Sequence, residues 1–176
     1  MASASPRRAE LLKRIFAEFE IVPTDIPEVT RYARPHLMVM DIAAKKAQPL
    51  LGKQDSLIIS ADTAVVLRQK FFAKPVNRDA ARQMLLELSG KWHSVYTGVS
   101  ISFTGNPTGS KTHYAKSRVK FKKLTAKDIE AYIETGSPFD KAGGYGIQDN
   151  CVVDRYTGSY ENIMGLPVNE LRTWLK

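Results

Sequence analysis

The sequence predicts an α/β fold with a mixed, twisted central sheet flanked by helices. Segments with apolar residues at helical spacing interleave along the chain with short apolar runs that are typical of strands. The 176 residues, 43% of them hydrophobic, are enough to bury one core without covalent cross-links. No internal repeat or linker is visible. We therefore expect residues 1–176 to form a single domain.

The N-terminal third predicts two helices and one buried strand. Ser5 and Pro6 are typical of an N-cap and a first helical residue, and the apolar spacing continues this helix to Phe19. A second helix is predicted from about His36 to Gln48. Leu57-Ile58-Ile59 is a continuous apolar run, which indicates a strand covered on both faces. The residues expected to face inward in the second helix are Leu37, Met40, Ala44 and Ala47.

The middle of the chain predicts a hairpin, a helix and a further strand. The polar turn Arg68-Gln69-Lys70 separates two apolar runs, which is the pattern of a β-hairpin. Asn77 is the expected N-cap of the next helix, and Gly90 ends that helix in a left-handed conformation. Trp92 to Phe103 alternates as one or two strands, and a turn is expected at Gly105-Asn106-Pro107.

The C-terminal third predicts a half-exposed strand followed by a helix, a glycine-rich segment and a closing helix. Ser117 to Leu124 alternates basic and apolar residues, so one face is solvated and the other buried. Thr125 to Asp128 resembles a capping box, and Gly136 ends the helix that it starts. Cys151-Val152-Val153 predicts a short strand, and Pro167 starts the closing helix.

Composition excludes several classes of protein. The single cysteine, Cys151, excludes an internal disulfide, and no apolar run approaches the ~18 residues of a membrane span. The N-terminus lacks the apolar core of a secretory signal. We therefore expect a cytoplasmic protein without membrane attachment. The net charge of +8, from 26 Lys and Arg against 18 Asp and Glu, favours anionic partners.

The first helix carries a pattern that fits a phosphate. Arg7 and Arg8 stand in its opening turn, where the helix dipole disfavours cations and where an anion would be stabilised. The backbone N–H groups of this turn and the hydroxyls of Ser3 and Ser5 would add hydrogen bonds to the anion. The alternative is that both arginines are simply solvated.

Asp62 is the most informative carboxylate of the chain. It lies between two apolar runs, so we expect it at a strand end near the interior, where an unpaired charge is costly. A divalent metal, a nearby lysine or a hydrogen-bonded turn that includes Thr63 would each stabilise it. Lys74, from the next extended segment, is a candidate to reach Asp62 across the hairpin. Alternatively, Lys74 is a plain surface residue.

Residues 136–148 hold four of the eleven glycines together with Lys141, Tyr145 and Gln148. A cation, an aromatic ring and a side-chain amide suit the recognition of a nucleobase with phosphates. The segment matches neither the P-loop nor the dinucleotide-binding pattern. A flexible surface loop is the alternative.

Other chemical groups of the chain predict ordinary structural roles. The three histidines lack the spacing of zinc ligands, and Cys151 is expected to be a packed small side chain within its strand. The basic stripe from Lys111 to Lys127 is expected to be a solvated strand face, with nucleic-acid binding as its functional alternative.

The chain also carries a series of short motifs whose order and spacing are together highly specific. They are Ser3-Ala-Ser-Pro-Arg-Arg8, Ser60-Ala-Asp-Thr63, Lys74-Pro75, Leu88-Ser-Gly90, His93-Ser-Val-Tyr-Thr-Gly98, Asp140-Lys-Ala-Gly-Gly-Tyr-Gly-Ile-Gln148, Gly158-Ser-Tyr160 and Gly165-Leu-Pro167. This series resembles the Maf family of nucleotide pyrophosphatases, which are related in fold to the house-cleaning inosine triphosphate pyrophosphatases. The resemblance covers nearly the whole chain.

The resemblance implies a Maf-like fold with a nucleotide-binding cleft and an enzyme that hydrolyses a nucleoside triphosphate to its monophosphate and pyrophosphate. The string from Asp140 to Gln148 resembles the branch that acts on dTTP and UTP, with modified pyrimidine nucleotides as further candidates. By the same resemblance, Asp62 is the catalytic residue, as general base or as metal ligand. The implied substrate-binding residues are Ser5, Arg7, Arg8, Thr63, Lys74, Lys141 and Gln148, and the implied ligands of Mg²⁺ or Mn²⁺ are Glu28 and Asp62.

The expected partner is the nucleoside triphosphate, with no specific nucleic acid and no membrane. The expected oligomeric state is a homodimer.

One departure from the family pattern concerns the start of the fold. Family members have an apolar strand before the first motif, whereas only Met1-Ala2 precedes Ser3 here. We expect that strand to be missing or shortened, with unpaired ladder groups as the consequence. A non-catalytic regulator that binds nucleotides or nucleic acid is therefore the alternative function.

Overall fold

The computed structural model describes residues 1–105 and 109–176, in which helices flank a five-stranded sheet. The predicted α/β class is confirmed. The strands lie in the order β2-β1-β3-β4-β5. The strands are β1 (Leu57–Leu67), β2 (Lys70–Phe72), β3 (Trp92–Phe103), β4 (Gly109–Phe121) and β5 (Val153–Thr157). The helices are α1 (Pro6–Leu12), α2 (Pro35–Ala47), α3 (Arg78–Leu88), α4 (Ala126–Glu134), α5 (Tyr160–Met164) and α6 (Val168–Trp174).

Both directions of strand pairing occur in the described residues. Strands β1 and β2 pair antiparallel, as do β4 and β5. A parallel bridge joins Ala2 to Ser60, and the Ala2 N–H donates to the Ile59 carbonyl at 2.8 Å. The Met1 carbonyl in turn accepts the Val22 N–H at 3.0 Å. The first strand is thus shortened to a single bridge, and the Ile59 carbonyl is paired, whereas the sequence predicted unpaired ladder groups.

The described residues group into two compact units. The first unit comprises residues 1–63, 96–115 and 161–176, and the second comprises residues 64–95 and 116–160. Within the described ranges, no helix combines the length and the apolar character needed to cross a membrane. The single domain stays a prediction.

In the first unit, the alternation of β1 determines which residues reach which helix. Ile59 and Ala61 belong to the core that α1 and α6 complete with Leu11 and Leu171. Ile58, on the opposite face, packs with Ala2 and with Ala47 of α2. The next residue on that face, Ser60, donates its hydroxyl hydrogen to the Ala43 carbonyl of α2 at 2.6 Å. Asp62 therefore faces α2, whereas Thr63 faces α1.

In the second unit, caps and glycines define the helices as predicted. Asn77 accepts the Ala80 N–H at 2.8 Å, Thr125 and Asp128 form a complete capping box, and Gly90 and Gly136 have φ angles of 66° and 72°. These signals are local, because each cap uses residues of its own turn.

Two predictions about the helices are wrong. Helix α1 ends at Leu12 rather than continuing to Phe19, because the chain turns there, although Phe19 still packs against the core. Helix α2 buries a different face from the predicted one: Leu37, Met40 and Ala44 are only partly buried. The residues that α2 buries are Val39, Ile42, Ala43 and Ala47.

Two predictions about strands are also wrong. Asp62 lies inside β1 and not at a strand end, because the two apolar runs beside it form one continuous strand. Cys151 is exposed and precedes β5, which begins at Val153. The predicted turn at Asn106-Pro107 falls outside the described residues.

The contact between α2 and β3 predicts a large loss of stability for Gly98→Ala. A Cβ at Gly98 would overlap the Val39 carbonyl and lie 2.6 Å from the Met40 nitrogen, so two backbones would have to separate. We expect a decrease of at least about 2 kcal/mol in the free energy of unfolding, measured by urea denaturation. Gly52→Ala is the control, because a Cβ at Gly52 would meet no other described atom within 4 Å. Equal stabilities of the two variants would contradict the prediction.

Candidate functional site

In the first unit, the two carboxylates predicted as metal ligands, Asp62 and Glu28, pair with one lysine. The Lys46 ammonium lies 2.7 Å from Asp62 Oδ1 and 2.6 Å from Glu28 Oε1. The side chains of Lys46 and Asp62 are only 12% and 11% exposed, whereas that of Glu28 is 60% exposed. Of the three partners that the sequence allowed for Asp62, the structure contains the lysine, and it is Lys46.

The position of Lys46 follows from the buried face of α2. Val39, Ile42, Ala43 and Lys46 stand at i, i+3, i+4 and i+7, so they share one side of the helix. Lys46 therefore emerges from an otherwise apolar face directly toward the side of β1 that carries Asp62. A lysine on an apolar face was the sequence signal for this residue, and the prediction of the wrong inward face concealed it.

Arg8 connects α1 to β1 and to the glycine before Leu166. Its Nη2 donates to Thr63 Oγ1 at 3.0 Å, its Nη1 to Ser3 Oγ at 3.2 Å and its Nε to the Gly165 carbonyl at 2.9 Å. Burial lowers the pKa of Arg8, and the carboxylates of Asp62 and Glu28 act in the opposite direction. Because the pKa of an arginine lies far above neutral pH, Arg8 stays charged and is a fixed cation beside Thr63.

Thr63 belongs to a chain of hydrogen bonds with one direction. Thr97 Oγ1 donates to the Asn162 carbonyl at 2.9 Å, so its oxygen accepts the hydroxyl hydrogen of Thr63 at 3.0 Å. Thr63 Oγ1 in turn accepts from Arg8. The orientation of the Thr63 hydroxyl is thereby fixed by its neighbours.

The start of α1 holds the remaining residues predicted in this unit. Ser5 is the N-cap, and its hydroxyl accepts the Arg8 N–H at 3.5 Å. Arg7 follows Pro6 in the same turn and is partly buried. Gly165 has a φ of 114°, and a Cβ there would meet Arg8 Nε and Thr63 Oγ1 at 3.4 Å. Only glycine fits this conformation beside Arg8 without strain.

These residues supply cations and hydroxyls that can bind an anion, and a carboxylate that can accept a hydrogen bond from water. Asp62 Oδ1 accepts from Lys46, and within the described part of the chain Oδ2 accepts no hydrogen bond, so a water could donate to it. No group of three or more His, Cys, Asp or Glu side chains suited to a metal occurs among residues 1–105 and 109–176. A divalent ion held by Asp62 and Glu28 would therefore need further oxygen ligands from a bound phosphate.

In the second unit, the structure brings the Lys74-Pro75 motif and the glycine-rich segment together. The Gly143 N–H donates to the Ala73 carbonyl at 3.1 Å. A Cβ on Gly143 would lie 3.0 Å from Val65, and one on Gly144 would lie 3.6 Å from Pro75. Both glycines have positive φ angles, so the segment folds closely against the end of β2. Lys74 is exposed beside it.

Lys141 and Asp149 stabilise the glycine-rich segment from within. The Lys141 ammonium donates to Ser137 Oγ at 2.9 Å and to Asp140 Oδ1 at 2.6 Å. Asp149 accepts the hydroxyl hydrogens of Ser137, at 2.6 Å, and of Tyr132. The segment is thus not a flexible loop but a series of tight turns anchored on α4.

Gln148 lies at the end of this segment. Its side chain is exposed, and a Cβ on Gly146 would come within 2.7 Å of Gln148 Nε2, so the side-chain amide folds back over Gly146. Gly146 also donates its N–H to the hydroxyl of Tyr132 at 3.0 Å. The amide is therefore presented from a rigid backbone.

His93 holds the same segment against the sheet. It is 3% exposed, and its Nε2 lies 2.7 Å from the Tyr145 hydroxyl. The rings of His93, Tyr145 and Phe121 contact one another edge to face. Burial lowers the pKa of His93 to about 3, so the ring is neutral at physiological pH.

The predicted site residues are thus found in both units. Ser5, Arg7, Arg8, Glu28, Asp62 and Thr63 belong to the first, and Lys74, Lys141 and Gln148 belong to the second. The sequence predicted Ser3 as part of the anion site but missed three partners that hold these residues in place, namely Lys46, Thr97 and Asp149. Tertiary folding brings Thr97 and Asp149 to their partners, so no local pattern indicates them, whereas Lys46 had its apolar helix face as a signal.

Comparison with known proteins agrees with the family resemblance that the motifs indicate. The model of a family described as "Maf-like protein" matches residues 1–176. A dTTP/UTP pyrophosphatase of Thermosipho africanus is 43% identical over 97% of this chain and 88% of its own length. Proteins with the same name from Agathobacter rectalis and Caldicellulosiruptor bescii are 41% and 42% identical, over 97% and 100% of this chain and 92% of their own lengths.

The burial of neutral His93 predicts a dependence of stability on pH. The folded-state pKa of about 3 lies below the unfolded value of 6.5, so only the unfolded chain takes up a proton between these pH values. Stability is lost as the pH falls through this window, with a contribution from His93 that approaches ~1.4 kcal/mol per pH unit. His93→Gln should show a shallower acid limb in urea denaturation from pH 7 to pH 4. An unchanged slope would contradict the prediction.

Proposed function

Because the chain belongs to the Maf family, we propose that it is a nucleoside triphosphate pyrophosphatase that hydrolyses dTTP or UTP to the monophosphate and pyrophosphate. The observation that carries the proposal is the buried Asp62 carboxylate, held by Lys46 and followed by a Thr63 that Arg8 orients. Relatives at about 40% identity bear the name of this activity. They support the enzyme over a non-catalytic regulator.

In the proposed reaction, water attacks the α-phosphorus and the bond from that phosphorus to the bridging oxygen breaks. Asp62 Oδ2 accepts the proton of the water in this proposal, while Oδ1 stays with Lys46. The ion pair with Lys46 holds the carboxylate in a fixed direction, as a general base requires. Pyrophosphate leaves with the electron pair of the broken bond, and its charge needs stabilisation by cations.

Fixed cations stabilise the triphosphate in this proposal. Three donors of the Arg8 guanidinium are used by protein oxygens, which leaves two of its five N–H groups for phosphate. Arg7 and the hydroxyl of Ser5 belong to the same turn. Lys74 and Lys141 are the proposed phosphate contacts from the second unit.

The proposal includes a divalent cation, Mg²⁺ or Mn²⁺. Asp62 and Glu28 are the residues that would hold it, since their oxygens already converge on one cation, the Lys46 ammonium. When bound together with phosphate oxygens, such an ion neutralises charge on the triphosphate.

The free thiol of Cys151 is compatible with a reducing compartment, so we also propose a cytoplasmic location.

Asp62→Asn tests the catalytic assignment. The amide keeps the shape of the side chain but loses its charge and basicity, and Lys46 keeps Glu28 as a partner. We expect kcat for UTP or dTTP to fall by at least about 100-fold while nucleotide binding persists. Pyrophosphate and orthophosphate are measured separately over a panel of canonical and modified triphosphates with Mg²⁺. The control is Asp154→Asn, an exposed aspartate of β5.

Two results would refute the activity. One is orthophosphate as the first product, because it requires cleavage at the γ-phosphorus. The other is full turnover by Asp62→Asn, which would remove this carboxylate from the chemistry.

Gln148→Leu tests the proposed recognition of the base. The amide of Gln148 can pair with the adjacent N–H and carbonyl of a uracil or thymine ring, which leucine cannot do. We expect the ratio of kcat/KM for UTP to that for CTP to fall by roughly 10-fold or more. Gln83→Leu, at an exposed position of α3, is the matched control. The same ratio in both variants would show that Gln148 does not read the base.

A further inference from the structure

The second unit concentrates the positive charge of the protein. It carries 14 Lys and Arg against eight Asp and Glu, hence +6 of the +8 of the whole chain. A shallow pocket of about 290 Å³ lies among these cations, lined by the end of β1, the start of β3 and Arg118 of β4. None of its residues is assigned to the proposed active site. The pocket therefore requires an explanation of its own.

Trp92, which lines the pocket, contacts two arginines, of which Arg118 also lines the pocket. The guanidinium carbon of Arg118 lies 5.0 Å from the centre of the Trp92 ring, and that of Arg155 lies 5.8 Å from it. A guanidinium that lies on an aromatic face keeps its N–H edge available for hydrogen bonds to an oxyanion. Among the described residues no carboxylate pairs with Arg118, and Asp154 is 3.9 Å from Arg155 on the exposed surface. In the described ranges, Arg118 is thus held in place without a carboxylate partner, and Arg155 pairs only with the exposed Asp154.

A third cation comes from an unusual turn. Leu67 pairs with Lys70, so Arg68 and Gln69 form a two-residue hairpin loop with φ angles of 48° and 73°. Such loops favour Asn and Gly, because other residues are strained at positive φ. The strained Arg68 nevertheless lines the pocket, together with Lys91. Lys91 donates one hydrogen to the Glu87 carbonyl and retains two further N–H donors.

We propose that this pocket is a second anion site, which binds a small polyphosphate such as inorganic pyrophosphate or the diphosphate group of a nucleotide. Arg68, Lys91 and Arg118 line the pocket, and together with Arg155 over the Trp92 ring they would match the three to four negative charges of such a group. The site does not depend on the proposed activity, since it uses none of the same residues. Binding here can be measured without any turnover.

The experiment uses the fluorescence of Trp92 to measure binding at the pocket. Of the two tryptophans of the chain, Trp174 lies in the first unit, so Trp174→Phe leaves Trp92 as the only source of tryptophan fluorescence. Pyrophosphate and UDP should change this fluorescence with saturation, and orthophosphate should bind at least about 10-fold more weakly. Arg118→Gln and Arg155→Gln should each weaken pyrophosphate binding by about 10-fold.

Arg78→Gln in the same background is the matched control. Arg78 is an exposed arginine of the same unit that pairs with Glu134 and Glu130, away from the residues of the pocket. Its substitution should leave the affinity for pyrophosphate unchanged. Equal losses in the Arg78 and Arg118 variants would overturn the proposal, because a general charge effect would then explain the binding.

Two further outcomes would overturn it. The first is the absence of a saturable fluorescence change with pyrophosphate and with UDP. The second is tighter binding of a single-stranded oligodeoxythymidine than of pyrophosphate, with a steep dependence on salt, because the surface would then serve a nucleic-acid backbone instead of a small ligand. Denaturation of every variant by urea establishes that it remains folded.

Discussion

A carboxylate inside a strand is the feature on which the first unit depends. Asp62 occupies a position where the neighbours on the same face of β1 are Ser60 and Ile58, and an unpaired charge there would cost several kcal/mol. The Lys46 ammonium offsets this cost, and Ser60 donates to the same helix two residues earlier. Helix α2 is therefore joined to β1 by polar contacts in register, on the same face that buries its apolar residues.

The strand alternation has a second consequence one residue later. Thr63 points to the opposite side of β1, where Arg8 reaches it from α1. Consecutive residues of one strand thus bring a carboxylate to one helix and a hydroxyl to another. The short motif Asp62-Thr63 therefore directs a carboxylate and a hydroxyl to opposite sides, because the pleat of the strand fixes the two directions.

Local signals explain how much of the fold the sequence predicted. The caps at Ser5, Asn77 and Thr125 and the end at Gly90 depend on residues of a single turn, and all four are confirmed. The errors concern properties that depend on distant partners. The buried face of α2 is one, since apolar residues occur on several sides of this helix and its pattern favours no single face. The exposure of Cys151 is another, because it depends on where β5 begins to pair with β4.

The same distinction separates the predicted from the missed site residues. Motifs identified Arg8, Asp62 and Thr63, which all lie in the first unit. Arg8 donates to Thr63, and Asp62 pairs with Lys46. Lys46 and Thr97 were missed, since their roles arise from contacts across 16 and 34 positions of the sequence. For Asp149, the sequence offered an acidic residue beside Gln148 but no sign that it binds Tyr132 and Ser137.

The close approach of Gly98 to α2 bears on how this protein can evolve. Where α2 crosses β3, main chain meets main chain at Val39 and Met40, and a side chain at position 98 has no room between them. A substitution there would push α2 away from the sheet and carry the Lys46 ammonium away from Asp62. A change in the codon for this one glycine would therefore disturb an ion pair that it does not touch.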